Sequence, residues 1–180
     1  ERYAVLLRGV NIGGRKKLPK ADFHRVLEDL GFTDVFVYIN SGNAVFSSDT
    51  SPAAPIVQDA LENYFGFEVP TLLLPGEKIH AIAKALPTHW TNDSPKPDKS
   101  GYQSNVLYLF EEIDNPDILE KLGHRPEIEE LIYMPGAVLQ YISRAHQSRG
   151  SLAKVIGTGL YSHMTVRNVN TARKLAELIG

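Results

Sequence analysis

The same order of segments is written twice along this chain, on either side of a proline-rich interruption, and that order limits the folds open to it. In the first pass, Tyr3 to Leu7 is a continuous apolar run closed by Arg8-Gly9, which reads as a buried strand. Pro19 then opens a helix. Its apolar residues Phe23, Val26, Leu27 and Leu30 share one face, and Gly31 stands where the helix stops. Val35 to Ile39 is rich in β-branched and aromatic residues and reads as a second strand. Ser41-Gly42-Asn43 turns the chain, and Ala44 to Phe46 returns antiparallel to it. A helix follows Pro55, with Ile56, Ala60, Leu61, Tyr64 and Phe65 on its apolar face and Gly66 at its end. Phe67 to Leu74 is the fourth strand, where Pro70 implies an edge or a bulge. Gly76 to Leu86 is again helical.

Residues 87–104 break the pattern with Pro87, Pro95, Pro97 and Gly101, and read as a linker or a long excursion. The second pass begins with a strand at Asn105 to Phe110. Asn115-Pro116 starts a helix that runs to Leu122. Leu131 to Met134 and Ala137 to Ser143 are strands joined at Pro135-Gly136, and Ser151 to Ile156 is helical. Met164 to Val166 is a shortened last strand. The final helix is capped by Asn170 or Thr171, with Ala172, Leu175, Ala176 and Ile179 on one face. Strand, helix, strand, strand, helix, strand is the split βαβ order. The expected fold class is therefore α+β: duplicated ferredoxin-like units with mainly antiparallel sheets and helices packed on them. The expected boundaries are 1–86 for the first half, 87–104 for the excursion and 105–180 for the second half.

With 180 residues, two such halves can bury their cores without a disulfide or metal staple, and the chain has no cysteine. Thiolate catalysis and cysteine-ligated zinc are excluded, and a reducing compartment is expected. No apolar run reaches the length that spans a bilayer, and the amino end leads straight into a strand without a secretory-type leader. The expected location is cytoplasmic, with no membrane partner. Charge is unevenly spread. Residues 1–25 carry seven basic and two acidic side chains, residues 26–134 carry six and eighteen, and residues 135–180 carry six and one. Basic ends around an acidic middle point to an anion-binding face, provided the two ends meet.

Three segments stand out: Leu6-Leu7-Arg8-Gly9-Val10-Asn11-Ile12-Gly13-Gly14, Tyr38-Ile39-Asn40-Ser41-Gly42-Asn43 and Thr165-Val166-Arg167-Asn168-Val169-Asn170-Thr171. In this order and at this spacing they resemble the bacterial family called domain of unknown function 1697. The resemblance implies a small cytosolic α/β protein with a duplicated ferredoxin-like fold. It implies no activity.

The residues themselves suggest a ligand site. Gly13 and Gly14 let backbone N–H groups approach an anion, Arg8 and Asn11 precede them, and Arg15, Lys16 and Lys17 add charge. The spacing is not that of a P-loop. Arg167 stands at the start of the last helix, where a cation is unfavourable unless an anion is near. Asn168 and Asn170 flank the same helix start, itself an anion site. Ser41 and Asn43 serve a hairpin turn first, and Asn43 could also present its amide to a ligand. Arg149 ends a basic polar run, Arg144 to Arg149, expected as an exposed loop. The candidate ligand-binding set is therefore Arg8, Asn11, Gly13, Gly14, Lys16, Ser41, Asn43, Arg149, Arg167, Asn168 and Asn170.

No catalytic constellation is recognisable. Histidines 24, 80, 89, 124, 146 and 163 form no HExxH pair, so no metal site and no cofactor are expected. Gly157-Thr158-Gly159 does not follow a strand, as a dinucleotide fingerprint would. The pairs Glu111-Glu112 and Glu129-Glu130 read as solvated. The expected function is binding of an anionic ligand, either a phosphate-containing small molecule or nucleic acid. For nucleic acid, the strand aromatics Tyr38, Phe46, Tyr108 and Tyr141 are candidate stacking groups. An enzyme acting on a phosphorylated or carboxylated small molecule, with His163 or Ser41 beside a deep pocket, is the alternative. A self-associating protein without a small ligand is the third reading.

Overall fold

The computed structural model describes residues 1–38 and 42–180. Among the described residues the chain is a mixed α/β protein with two four-stranded antiparallel sheets and six α-helices. It divides into two compact units. The first holds Glu1–His80 and Leu175–Gly180, and the second holds Ala81–Lys174. Among the described residues no helix is long and apolar enough to cross a membrane.

The first unit contains β1 (Arg2–Leu7), α1 (Lys20–Asp29), β2 (Thr33–Tyr38), β3 (Asn43–Ser47), α2 (Ala54–Phe65), β4 (Thr71–Pro75) and most of α3's first turns (α3, Gly76–Ala85). The strand order is β2-β3-β1-β4. The apolar run that predicted a buried strand is the central β1, with Ala4, Val5 and Leu6 fully buried. Alternate residues Tyr3, Val5 and Leu7 join Phe23 and Leu27 of α1 and Val57 and Leu61 of α2 in one core. The fourth strand starts later than the composition suggests. The Val69 N–H donates to Glu62 Oε2 (2.7 Å) and the Thr71 N–H to Gln58 Oε1 (3.2 Å), so side chains of α2 take up donors a longer ladder would use. Pro70 stands just before β4, an edge strand, where its missing N–H does no harm.

The second unit contains β5 (Tyr102–Leu109), α4 (Ile118–Lys121), β6 (Glu129–Met134), β7 (Ala137–Ser143), α5 (Ser151–Val155), β8 (Met164–Asn168) and the first turns of α6 (Val169–Ile179). Its strand order is β6-β7-β5-β8. Leu107, Leu109, Val138 and Met164 pack with Ile113, Ile118, Leu122 and Val155. The helices are short. Gly123, at φ 68°, ends α4, and α5 stops before Gly157, at φ 87°.

Two expectations about the carboxyl-terminal motif need correction. The last strand is not shortened: β8 has five residues, as many as β4, because Arg167 and Asn168 pair with Val106 and Asn105 of β5. The cap of α6 is neither Asn170 nor Thr171. Asn168 Oδ1 accepts the Thr171 N–H at 3.0 Å, the usual reach of a capping side chain. The Arg144–Arg149 run, expected as an open loop, forms a short 3-10 helix.

Residues 87–101 hold no helix or strand, yet they are tied down inside the second unit. Trp90 is fully buried and stacks on Tyr141, which stacks on Tyr102. Asp93 and Tyr102 exchange hydrogen bonds, and the Arg173 guanidinium donates to the Pro87 and Trp90 carbonyls.

Candidate anion-binding arm

Residues 9–19 of the first unit form a small arm between β1 and α1. Ile12 and Arg15 make an isolated antiparallel bridge. The Arg15 N–H donates to the Ile12 carbonyl (2.9 Å) and the Asn11 N–H to the Lys16 carbonyl (3.0 Å). Gly13 and Gly14 are therefore the two central residues of a hairpin turn, with φ 57° and 75°. A type I′ turn needs positive φ at both positions, which two glycines supply without strain. The glycines therefore turn a short hairpin rather than leading straight from strand to helix, and the chain doubles back before α1 begins.

Asn11 closes the base of the arm. Its Oδ1 accepts the Leu18 N–H at 2.8 Å, and its Nδ2 donates to the Leu18 carbonyl at 3.3 Å. The amide expected to meet a ligand thus clasps the chain. Lys16 reaches the Glu68 carbonyl at 3.4 Å. Arg15, Lys16, Lys17 and Lys20 are exposed. An open depression of about 300 Å³ beside the arm is lined by Asn11, Gly14, Lys17, Leu18, Pro19 and Lys20. Its lining includes two lysines and no acidic residue, and the Lys20 ammonium lies over the Phe36 ring, 5.5 Å from its centroid.

The structure brings the first motif against the second. The Leu7 N–H donates to the Gly42 carbonyl at 2.8 Å. A Cβ on Gly42 would lie 2.8 Å from both Leu7 Cβ and Val10 Cγ2, and φ is 76° there, so glycine is required twice over. Asn43 is fully buried and donates to the Tyr38 carbonyl at 3.2 Å, so its amide is not presented to a ligand. Ser41 lies outside the described residues. The Arg8 N–H donates to the Pro70 carbonyl at 3.0 Å, and its side chain is half-buried.

The remaining predicted residues belong to the second unit. Arg149 is exposed at the end of the 3-10 helix, and Asn170 is exposed in the first turn of α6. Arg167 is a strand residue only 7% exposed. Its Nη1 donates to Thr165 Oγ1 (2.7 Å) and to the Val166 carbonyl (2.9 Å). Burial lowers its pKa to about 10, partly offset by the hydroxyls of Tyr108 and Tyr161.

Two stacking candidates fall away. Phe46 and Tyr108 are buried, Phe46 within the helix-side core. Tyr141 lies against both Trp90 and Tyr102. Glu129, expected as solvated, is buried and accepts from the Arg125 N–H, Gln140 Nε2, the Ser151 N–H and Ser151 Oγ, at 2.9–3.2 Å. Asn105 extends the chain of bonds to Gln140 at 3.0 Å. Sequence reasoning missed this network. The signal available was the alternation of β6, which puts Glu129 in phase with the inward Leu131. His163 pairs with Ser162 at 3.3 Å at the surface. Among the described residues no group of three His, Asp or Glu could hold a metal ion.

Residues 1–139 match the sequence model of the family described as protein of unknown function (DUF1697). The chain belongs to this family. The first two motifs lie inside the matched residues and the third beyond them. Among solved structures, a conserved bacterial protein from Streptococcus pneumoniae is 28% identical, with a TM-score of 0.76 over 99% of this chain and 98% of the other. No curated protein matches the chain. The DUF1697 membership covers the arm and the Gly42 turn, the two segments that the first unit packs together.

Proposed function

We propose that the chain is a binding module for an anionic, phosphate-bearing ligand taken up at the arm of the first unit. One observation carries this reading: five basic and no acidic side chains lie between Arg8 and Lys20, and the structure sets Lys17 and Lys20 around one open depression. The Asn11 clasp and the two-glycine turn hold the arm in one shape before a ligand arrives, which lowers the ordering entropy of binding. The ligand class is a phosphate-containing small molecule or nucleic acid.

The test is melting temperature against sulfate, pyrophosphate, a nucleoside triphosphate, and single- and double-stranded DNA. The parent is compared with Lys17→Ala/Lys20→Ala. A ligand at about a hundred times its dissociation constant stabilises the parent by roughly 2.7 kcal/mol, and the double variant loses that shift. A parent that no anion stabilises overturns the reading.

Each unit reads best as a ferredoxin-like split βαβ unit, and the chain as a duplication. The support is the matching strand orders, β2-β3-β1-β4 and β6-β7-β5-β8, each with its second strand at one edge and its fourth at the other. A cytoplasmic, bacterial setting agrees with the absence of cysteine and with the Streptococcus pneumoniae relative.

A further inference from the structure

We infer that the arm is a wedge for double-stranded DNA: its cations straddle backbone phosphates while Ile12 presses against a base step. This rests on the anion-binding reading of the same arm and narrows it to one partner.

The arm has a feature that a small phosphate does not use. Ile12, beside the turn at its tip, is 65% exposed, and the residues that follow are Gly13, Gly14, Arg15, Lys16 and Lys17. A lone aliphatic side chain held out among cations matches three anionic partners: a single strand, a lipid surface and a duplex. The physics separates them. Single-stranded nucleic acid is held by stacking bases on aromatic rings; residues 9–19 contain no aromatic, and the exposed ring beside the arm's cations, Phe36, has the Lys20 ammonium over it at 5.5 Å from its centroid. Burying one isoleucine strengthens membrane partition only about ten- to a hundredfold, well short of a stable anchor. A duplex needs no more than this arm has. One aliphatic wedge unstacks a base step, and flanking cations hold the phosphates on either side.

The rigidity of the arm also fits. The Asn11 clasp and the Ile12–Arg15 bridge fix the ribbon, so the tip can push against a stack without first being ordered. The lysine–phosphate contacts carry no base information, so any sequence preference comes from how easily the wedged step deforms. It would favour pyrimidine–purine steps, which kink easily.

The experiment uses the full chain and a duplex of about 20 base pairs carrying end labels. Anisotropy gives affinity between roughly 50 and 200 mM salt, and energy transfer between the ends gives the bend. The parent binds and bends the duplex. Ile12→Ala loses the bend and about tenfold in affinity while the salt slope stays unchanged. Lys16→Ala/Lys17→Ala lowers the slope by about one to two. Both variants must melt with the parent, which the exposed positions allow. Equal affinity and bend for Ile12→Ala overturns the wedge, as does equal binding of single strands. Ile12-dependent binding to anionic phospholipid vesicles, with none to duplex, also overturns it. If pyrophosphate stabilises the protein but duplex does not bind, the wedge fails and the anion reading stands. If no anion binds, both fail.

Discussion

At Glu129 a buried carboxyl group is accounted for by its hydrogen bonds: backbone N–H groups of Arg125 and Ser151, the Gln140 amide and the Ser151 hydroxyl all donate to its oxygens. Glu129→Ala strands the Ser151 and Arg125 N–H groups and Gln140 in a dry site. It is expected to destabilise the protein by about 3 kcal/mol, read by chemical denaturation. Tyr108 makes a pH prediction. Burial raises its pKa well above the ordinary value near 10. In alkali the unfolded chain loses this proton first, so the unfolded state binds fewer protons and stability falls as pH rises above about 10. Arg167, with its pKa lowered to about 10, acts in the opposite sense from there up to its ordinary value of 12.5. Tyr108→Phe removes the tyrosine's part and also its upward pull on Arg167, and both changes make stability fall less steeply between about pH 10 and 12 than in the parent. An equal slope would show that Tyr108 ionises freely in the fold. Glu129 and Arg167 show why charged residues are hard to read in a sequence. Their letters suggest solvent, and only the inward phase of a strand reveals otherwise.

At the scale of elements, the strongest local signals were the periodic ones. The apolar run of β1 and the i, i+3, i+4 pattern of α1 depend on neighbours in sequence, and both elements formed where the pattern put them. The end of β8 and the start of α6 did not follow from neighbours. Asn168, Asn170 and Thr171 can all cap a helix, and the choice fell to Asn168 because β5 extends the strand to that residue. Asn168→Ala is expected to lose about 1 kcal/mol, while Asn170→Ala leaves stability within a few tenths, by thermal or denaturant unfolding. At the β2–β3 turn, Gly42→Ala meets Leu7 and Val10 as well as an unfavourable φ. It should cost more than 2 kcal/mol, against about 1 for Gly14→Ala, where φ alone is strained and the space around it is open.

For the molecule as a whole, the proline-rich stretch is the place where composition misleads most. Its prolines and scarce aliphatics suggest a linker, but Trp90 is the chain's one tryptophan and it is fully buried. Its emission should therefore be blue-shifted and poorly quenched by acrylamide, and Trp90→Ala should cost roughly 3–5 kcal/mol. Solvent-like emission would mean that the stretch is loose. Sequence alone determined the order of strands and helices, the family, and the basic character of residues 8–20, because periodicity, motif and charge count are properties of consecutive residues. Tertiary structure alone decided which polar groups are spent on the fold. Asn11, Asn43 and Asn168 each satisfy a backbone group, and Arg167 and Glu129 lie inside the second unit. A polar side chain's role depends on which donors and acceptors the folded chain brings within about 3 Å of it, and that distance is set by residues far away in sequence.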